Sequence, residues 1–316
     1  MLKSTLKFAR LRIVATCYAL VFLGSAAASG ITLKTLFALF LIIAVTIHAN
    51  SVNDYADRDI DRINLKNATD RPLVSQDISL GEFWTIHFAS GVVALLLSFF
   101  YGTPAVFLTL GVLIVGYIYS LKPFRLAYRP IASPLLLSAA YVYYSFPLGY
   151  LSADVHKGYP WLLSFGLYLG FVARLLLKDF RDAKGDKQHG KVTFLLRYGA
   201  TRTCIASGIF WFLAMITVIG ATSFAIGVMI PLALGVLTVS LMLKALSKIL
   251  KISTQQNTVA FIAKSANFSI ITILAYLLCQ NQTSLSTLEM QLIPASIGTI
   301  LLMLNWFDYS ARIHVA

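Results

Sequence analysis

The chain has 316 residues, of which 58% are hydrophobic and only 12% charged, and its formal net charge is +13. A soluble core of this size cannot hide so much apolar side chain, and an extramembrane domain needs roughly 25% charged residues, so a soluble protein and a separate soluble domain are both excluded. Without a polar fold to present a basic groove, the charge does not point to nucleic acid; an excess of cations on the inner face of a membrane explains it.

A bilayer core about 30 Å thick takes about 20 helical residues to cross. The first apolar segment, 12–29, follows Lys3, Lys7, Arg10 and Arg12 and ends in small residues, imitating a signal peptide. A second segment, 31–50, follows at once, so the first is expected to be an uncleaved helix. After a polar connection come 83–100 and 104–120, then 130–151 and 159–178, then 203–221 and 223–243, and last 258–279 and 290–307. These runs are continuously apolar and do not alternate, and backbone polar groups in lipid must pair within their own segment, so helices are expected and a barrel is not. The expected fold is all-α: one polytopic membrane bundle over residues 1–316, with nine or ten transmembrane helices. Cys17, Cys204 and Cys279 have no metal or disulfide spacing and read as packing residues.

With a cytoplasmic N-terminus, both tails and the connections after even-numbered spans hold 22 of the 26 basic residues. The opposite side keeps Lys157, while Lys34, Arg174 and Lys264 sit in spans where long side chains can snorkel. The longest cytoplasmic connections follow spans two and six, and chemistry is expected there.

Those two connections hold the acids. Asp54, Asp57, Asp59, Asp61 and Asp70 lie in the first, and Asp179, Asp182 and Asp186 in the second. Asp54, Asp57 and Asp61 stand at i, i+3 and i+7, and Asp179, Asp182 and Asp186 repeat the intervals, so each set makes one stripe on a helix. Carboxylates roughly 6 Å apart repel by about 3 kcal/mol per pair at an effective dielectric near 20, which asks for a counter-ion. Solvated helix ends neutralised by Arg58, Arg62 and Arg181 would be one answer. The other is a hard cation. Oxygen donors without a histidine or cysteine pattern favour magnesium, which binds through one or two carboxylates together with substrate phosphates. Arg71, Lys122, Arg125 and Lys178 lie on the same expected face and suit a phosphate group, although positive-inside placement would also explain them.

Asn53-Asp54-Tyr55-Ala56-Asp57-Arg58-Asp59-Ile60-Asp61 resembles the NDxxDxxxD motif of the UbiA superfamily of intramembrane prenyltransferases, and Asp70-Arg71-Pro72-Leu73 looks like its RPL segment. Lys178 to Asp186, continuing to Gly190 and Thr193, is similar to the second motif, DxxxD, carried here by Asp182 and Asp186. Val74 and Gln76 stand where the family usually shows Pro and Gly, and its YxxxK motif is only approximated by Tyr119 and Lys122. The resemblance implies that Mg2+ is held by Asp54, Asp57, Asp61, Asp182 and Asp186, with Asp54, Asp57, Asp182, Asp186 and Lys122 catalytic. It also implies that Asn53, Arg71, Tyr119, Lys122 and Lys178 bind the diphosphate of a polyprenyl diphosphate, whose tail lies among the helices and membrane lipid. An aromatic acceptor of the quinone-precursor type leads, with a glycerol-phosphate lipid, phosphoribose or a porphyrin as alternatives. Tyr141, Tyr143, Tyr144 and Phe146 are candidates to face an allylic cation, with membrane packing the competing role, and His189 reads as a loop residue. The implied location is the cell membrane, with both acidic loops cytoplasmic. A cation transporter is the remote rival, disfavoured because the acids lie at span ends rather than at mid-bilayer.

Overall fold

The structure, a computed structural model, describes residues 2–64, 71–154, 158–249 and 252–315. Asp70 and Lys157, placed above in the first acidic group and on the outer side, lie outside the described residues. Helix makes up 84% of the described residues, and there is no strand among them. The helices run in order as α1 (Leu2–Ala9), α2 (Leu11–Ala28), α3 (Leu33–Ala56), α4 (Arg58–Asn64), α5 (Leu80–Ser98), α6 (Thr103–Ser120) and α7 (Ala132–Ser152). They continue as α8 (Trp161–Leu176), α9 (Asp179–Gln188), α10 (Phe194–Ala221), α11 (Ile226–Leu246), α12 (Ile252–Gln280) and α13 (Thr287–Val315).

Each of the ten apolar segments falls in a helix. Eight described helices are long and apolar enough to cross a bilayer, or nine with α8 and α9 counted as one span bent by 52°. α7 has the length but is diluted by Ser133, Ser138, Ser145, Ser152 and its tyrosines. Several helices outrun their apolar stretch: α3 continues through polar Asn50 to Ala56, and α10 starts at Phe194, although its backbone breaks at Gly199 (φ 81°). Residues that leave the hydrocarbon can keep the helical hydrogen-bond ladder, so apolarity marks the membrane segment and not the helix ends.

The chain divides into two compact units, Met1–Ser25 with Ile31–His156 and Asp182–Thr193, and Ala26–Gly30 with Lys157–Arg181 and Phe194–Ala316. In the first, α3 packs against α1, α5, α6 and α7. Thr32 and Thr35 form a capping box that starts α3. Helices in lipid gain little from hydrophobic exclusion and rely on close packing and internal hydrogen bonds. Both occur here. A Cβ on Gly149 would lie 1.9 Å from the Val21 carbonyl oxygen and one on Gly24 2.0 Å from that of Phe146, so α2 and α7 touch backbone to backbone through a reciprocal glycine pair. Between α3, α5 and α6, the Ser51 hydroxyl donates to the His48 carbonyl (2.8 Å) and therefore accepts from His87 Nδ1 (2.9 Å). This leaves His87 Nε2 to accept from the Tyr117 hydroxyl at 2.6 Å.

In the second unit α8 packs on α10, and α11, α12 and α13 pack on one another. The Ser207 hydroxyl donates to the Ala173 carbonyl (2.9 Å), joining α10 to α8. α13 is held to α12 by the Lys264–Asp308 ion pair, by Asn305 Nδ2 donating to the Phe261 carbonyl (3.0 Å), and by the Thr258 and Tyr309 hydroxyls 3.0 Å apart. The last apolar segment is thus a packed helix with its own polar contacts.

Candidate active site

The acidic end of α3 belongs to the first unit. Asp57 caps the helix at φ −104°, ψ 12°, its N–H donating to the Asn53 carbonyl (2.9 Å), while the Asp61 N–H donates to the Asp57 carbonyl (2.8 Å). The chain therefore turns at Asp57 without losing its ladder, and α4 carries Asp61 onward. Asp54 is 2% and Asp57 8% exposed, whereas the Asp59 side chain is 66% exposed and, among the described residues, pairs with Arg58 and Arg62 alone. Asn53 Nδ2 donates to Asp57 Oδ2 at 3.2 Å, which orients that carboxylate from within its own helix.

Cations reach these acids from distant parts of the chain. Arg10, in a left-handed turn (φ 49°) between α1 and α2, pairs with Asp54. Its turn is anchored by Asn50 Nδ2 donating to the Phe8 carbonyl (2.9 Å) and by Phe8 buried edge-on against Phe83. Arg71 Nε donates to Asp61 Oδ2 at 3.0 Å and lies 3.5 Å from Asp54 Oδ1. Arg125 Nη2 donates to the Ala56 carbonyl (2.9 Å) and stands 3.9 Å from Asp57 Oδ1, with its guanidinium over the Tyr128 ring. A cation on the last carbonyls of a helix is worth about 0.3–1 kcal/mol, so Arg125 caps α3 and screens Asp57 together.

The second motif meets the first through a lysine. After α9, Gly190 adopts φ 66° and the Lys191 N–H returns to the Asp186 carbonyl (2.9 Å), the 6→1 closure of a glycine C-cap. That closure turns Lys191 back on its own helix. Lys191 Nζ lies 3.3 Å from Asp186 Oδ1 and 3.9 Å from Asp57 Oδ2, and its side chain is only 11% exposed. Asp57, Lys191 and Asp186 thus form a chain of alternating charge. Asp182, one turn before Asp186, is half-buried.

Asp54, Asp57, Asp61, Asp186, Asn53 and Arg71 are therefore gathered by α3, α4 and the end of α9. Arg71 grips carboxylates rather than standing opposite them. Lys122, preceding Pro123 in the α6–α7 connection, is exposed and makes no ion pair among the described residues. Tyr119 is buried, its hydroxyl 3.1 Å from the Ser133 hydroxyl. Lys178 and Asp179 belong to the second unit. Tyr144 and Phe146 are buried, and Tyr144 packs in the same core as Val21 and Leu113. Two cations escaped notice in the sequence. Arg10 merges with the N-terminal positive-inside residues, whereas Lys191 was findable, since a glycine four residues past Asp186 marks a C-cap that folds the next side chain back.

Among the described residues no three His, Cys, Asp or Glu side chains converge on one point. Arginine and lysine stand between the carboxylates instead. Magnesium nevertheless suits the donors present: they are oxygen only, and Asp54 Oδ2, fully buried, has no hydrogen-bond donor among the described residues. A bare carboxylate oxygen in a dry site is a place for a cation. Burial raises the Asp61 carboxyl above the ordinary aspartate range, with Arg71 opposing and Asp57 reinforcing the shift. A raised carboxylate makes the folded state the better proton binder, so its contribution to stability grows as pH falls through the raised value and is lost as pH rises. Thermal unfolding without divalent cations should therefore show a larger gain in wild type than in Asp61→Asn as pH is lowered from neutrality toward the ordinary aspartate range; identical pH profiles would count against that burial.

An all-helical membrane bundle with acidic helix ends set among arginines and lysine defines a class of membrane protein whose polar site lies at the ends of its spans. The UbiA prenyltransferase family matches residues 13–271, and the chain belongs to that family. A chloroplastic 2-acylphloroglucinol 4-prenyltransferase of Humulus lupulus is 28% identical over 185 residues, 56% of this chain and 44% of that protein. Digeranylgeranylglyceryl phosphate synthase of Methanothermobacter thermautotrophicus is 28% identical over 186 residues, 58% of this chain and 63% of that one. The chain thus spans less than two thirds of these relatives. Among solved structures, a digeranylgeranylglyceryl phosphate synthase superposes with a TM-score of 0.67 at 22% identity, covering 88% of this chain and 98% of the other. A UbiA homologue from Archaeoglobus fulgidus bound to GPP and Mg2+ has a TM-score of 0.58 at 17% identity, covering 97% and 99%. These likenesses establish the fold.

Proposed function

We propose that the chain transfers an isoprenyl group from a polyprenyl diphosphate to an aromatic acceptor of the quinone-precursor type, within the membrane and with Mg2+. The observation that carries this reading is the buried Asp57–Lys191–Asp186 array, which joins the two acidic motifs in one site. Asp54, Asp57, Asp61, Asp182 and Asp186 would hold magnesium, which when bound stabilises charge on a departing diphosphate. Arg10, Arg71 and Lys191 neutralise the carboxylates between turnovers and supply donors to phosphate oxygens. Asn53 keeps Asp57 oriented, and Arg125 fixes the end of α3 so that the carboxylates keep their places. Burial around Asp54 and Asp57 excludes water, which strengthens each of these interactions and protects an allylic cation from hydrolysis. Lys122 is assigned to substrate entry, since its exposure leaves it able to swing toward an incoming diphosphate, with Tyr119 positioning its loop and Lys178 a further cation for the substrate.

The Humulus relatives, named for a phloroglucinol acceptor, support the aromatic reading. A glycerol-phosphate lipid acceptor is the second reading, favoured by the structural likeness to digeranylgeranylglyceryl phosphate synthase. Membranes containing the protein, given one prenyl diphosphate together with an aromatic acid and a prenylated glycerol phosphate in competition, should form the aromatic product; exclusive prenylation of the glycerol phosphate would replace the first reading by the second.

The same proposal puts both acidic loops on the cytoplasmic side of the cell membrane. Ser75 and Gln188 are exposed, so single cysteines placed there should be labelled together from the cytoplasmic side. Labelling from opposite sides would defeat a shared site.

A further inference from the structure

Asp57 is bracketed by two cations that share one aromatic ring. Its Oδ1 faces Arg125 Nη2 and its Oδ2 faces Lys191 Nζ, both at 3.9 Å. These cations come from distant parts of the chain, Arg125 from the α6–α7 connection and Lys191 from the turn after α9. Both also meet Tyr128. Arg125 Cζ lies 3.9 Å and Lys191 Nζ 5.9 Å from the centroid of its ring, each within the roughly 6 Å over which an aromatic face attracts a cation. Carboxylate, guanidinium, ring and ammonium thus close a circuit, all of it within the first unit.

The backbone fixes the ring in that place. Arg125 adopts φ 42° and opens a single 3-10 turn, Leu126–Tyr128. Within it the Tyr128 N–H donates to the Arg125 carbonyl and the Arg129 N–H to that of Leu126, both at 3.0 Å. Ala127 is buried and seats the turn, which leaves the half-buried Tyr128 ring against the guanidinium three residues before it.

The distances show what the ring does. An arginine that is free to meet an aspartate closes on it with two parallel N–H···O bonds of about 2.7–2.9 Å, which occupies both oxygens that a metal would use. Arg125 stops well short of that arrangement: its Nη2 donates to the Ala56 carbonyl at 2.9 Å, and its Cζ sits over Tyr128. We propose that Tyr128 is a positioning residue of the metal site, its ring holding Arg125 and Lys191 back from Asp57 so that the carboxylate stays open to a divalent cation. That role rests on the proposed part of Asp57 as a magnesium ligand. It needs the π face and not the phenol hydroxyl, so phenylalanine replaces tyrosine and an aliphatic side chain does not. Without the ring, the guanidinium closes on Asp57 and competes with the metal.

Full-length protein in phosphatidylcholine nanodiscs, free of substrate, should be titrated with Mn2+, the unbound ion being read by electron paramagnetic resonance. Tyr128→Leu is expected to weaken binding about tenfold, equivalent to about 1.4 kcal/mol. Tyr128→Phe, which keeps the cation–π face, should stay within about twofold of wild type. Adding Arg125→Gln to Tyr128→Leu should recover most of the loss, because the cation that closes on Asp57 is then gone; a side chain that merely packs the loop predicts no recovery. If Tyr128→Leu fails to fold, Tyr128→Gln removes the ring with a polar side chain suited to a half-buried position and gives the same comparison. Mn2+ binding as tight in the ring-less variant as in wild type, binding in Tyr128→Phe as weak as in Tyr128→Leu, or no recovery in the double variant would overturn the role of Tyr128 and leave Asp57 as a metal ligand. Absence of saturable Mn2+ binding by wild type would overturn both.

Discussion

Replacing Asp57 or Asp186 by asparagine should lower prenyl transfer at least about 100-fold, roughly 2.7 kcal/mol of barrier. Both carboxylates are buried and share Lys191, so neither can be exchanged for water or for a neighbouring acid. The amide keeps the shape and much of the packing but loses the charge that a metal and a lysine require. Asp54→Asn and Asp182→Asn are expected to fall in the same range, because Asp54 offers the uncovered oxygen and Asp182 lies one turn from Asp186. Asp59→Asn is the internal control. Its side chain is 66% exposed and, among the described residues, pairs with neighbouring arginines alone, so its rate should stay within a few-fold of wild type. A loss at Asp59 equal to that at Asp57 would show that net charge, and not the buried face of α3 and α4, sets the rate.

The second large effect is expected at Lys191. Lys191→Met removes the cation between Asp57 and Asp186 and leaves two buried carboxylates without it. Breaking a buried pair by deleting one partner typically costs about 3–5 kcal/mol. The unfolding midpoint without divalent cations should therefore drop by several degrees, and added magnesium should recover part of that loss by taking over the neutralisation. Turnover should fall as well, because a donor to phosphate oxygens is gone. Lys191→Arg keeps the charge and should retain most of the stability. Cation-free stability in Lys191→Met equal to wild type would mean that the lysine is a bystander.

The membrane architecture was legible because lipid imposes a single rule, about twenty apolar residues with internally paired backbone. Ten such runs fall in ten helices; some ends run on where polar residues beyond Asn50 or around Arg197 continue the ladder, and others, such as those of α8, fall short by a residue or two. The acidic stripes were legible for a similar reason, since i, i+3 and i+7 spacing needs only a local helix. That rule also separates buried Asp54 and Asp57 from exposed Asp59. What neutralises the stripes was not local. Arg10 lies 44 residues from Asp54 and reaches it through a left-handed turn, and Arg125 arrives through another at φ 42°. Sequence periodicity is silent about such turns in non-glycine residues. Lys122, whose motif position suggests a diphosphate ligand, is exposed on its loop.

Single-turnover transfer of a labelled prenyl group tests the central claim most directly. Protein in nanodiscs is loaded with labelled geranyl, farnesyl or geranylgeranyl diphosphate, magnesium and an acceptor panel are added, and the label is followed into the lipid extract by mass spectrometry. The account predicts that label moves from diphosphate to acceptor only with magnesium present, and that Asp57→Asn and Asp186→Asn fail while Asp59→Asn succeeds. Absence of prenylated product from every diphosphate and acceptor, alongside cation flux through the same protein in liposomes without any diphosphate, would contradict it.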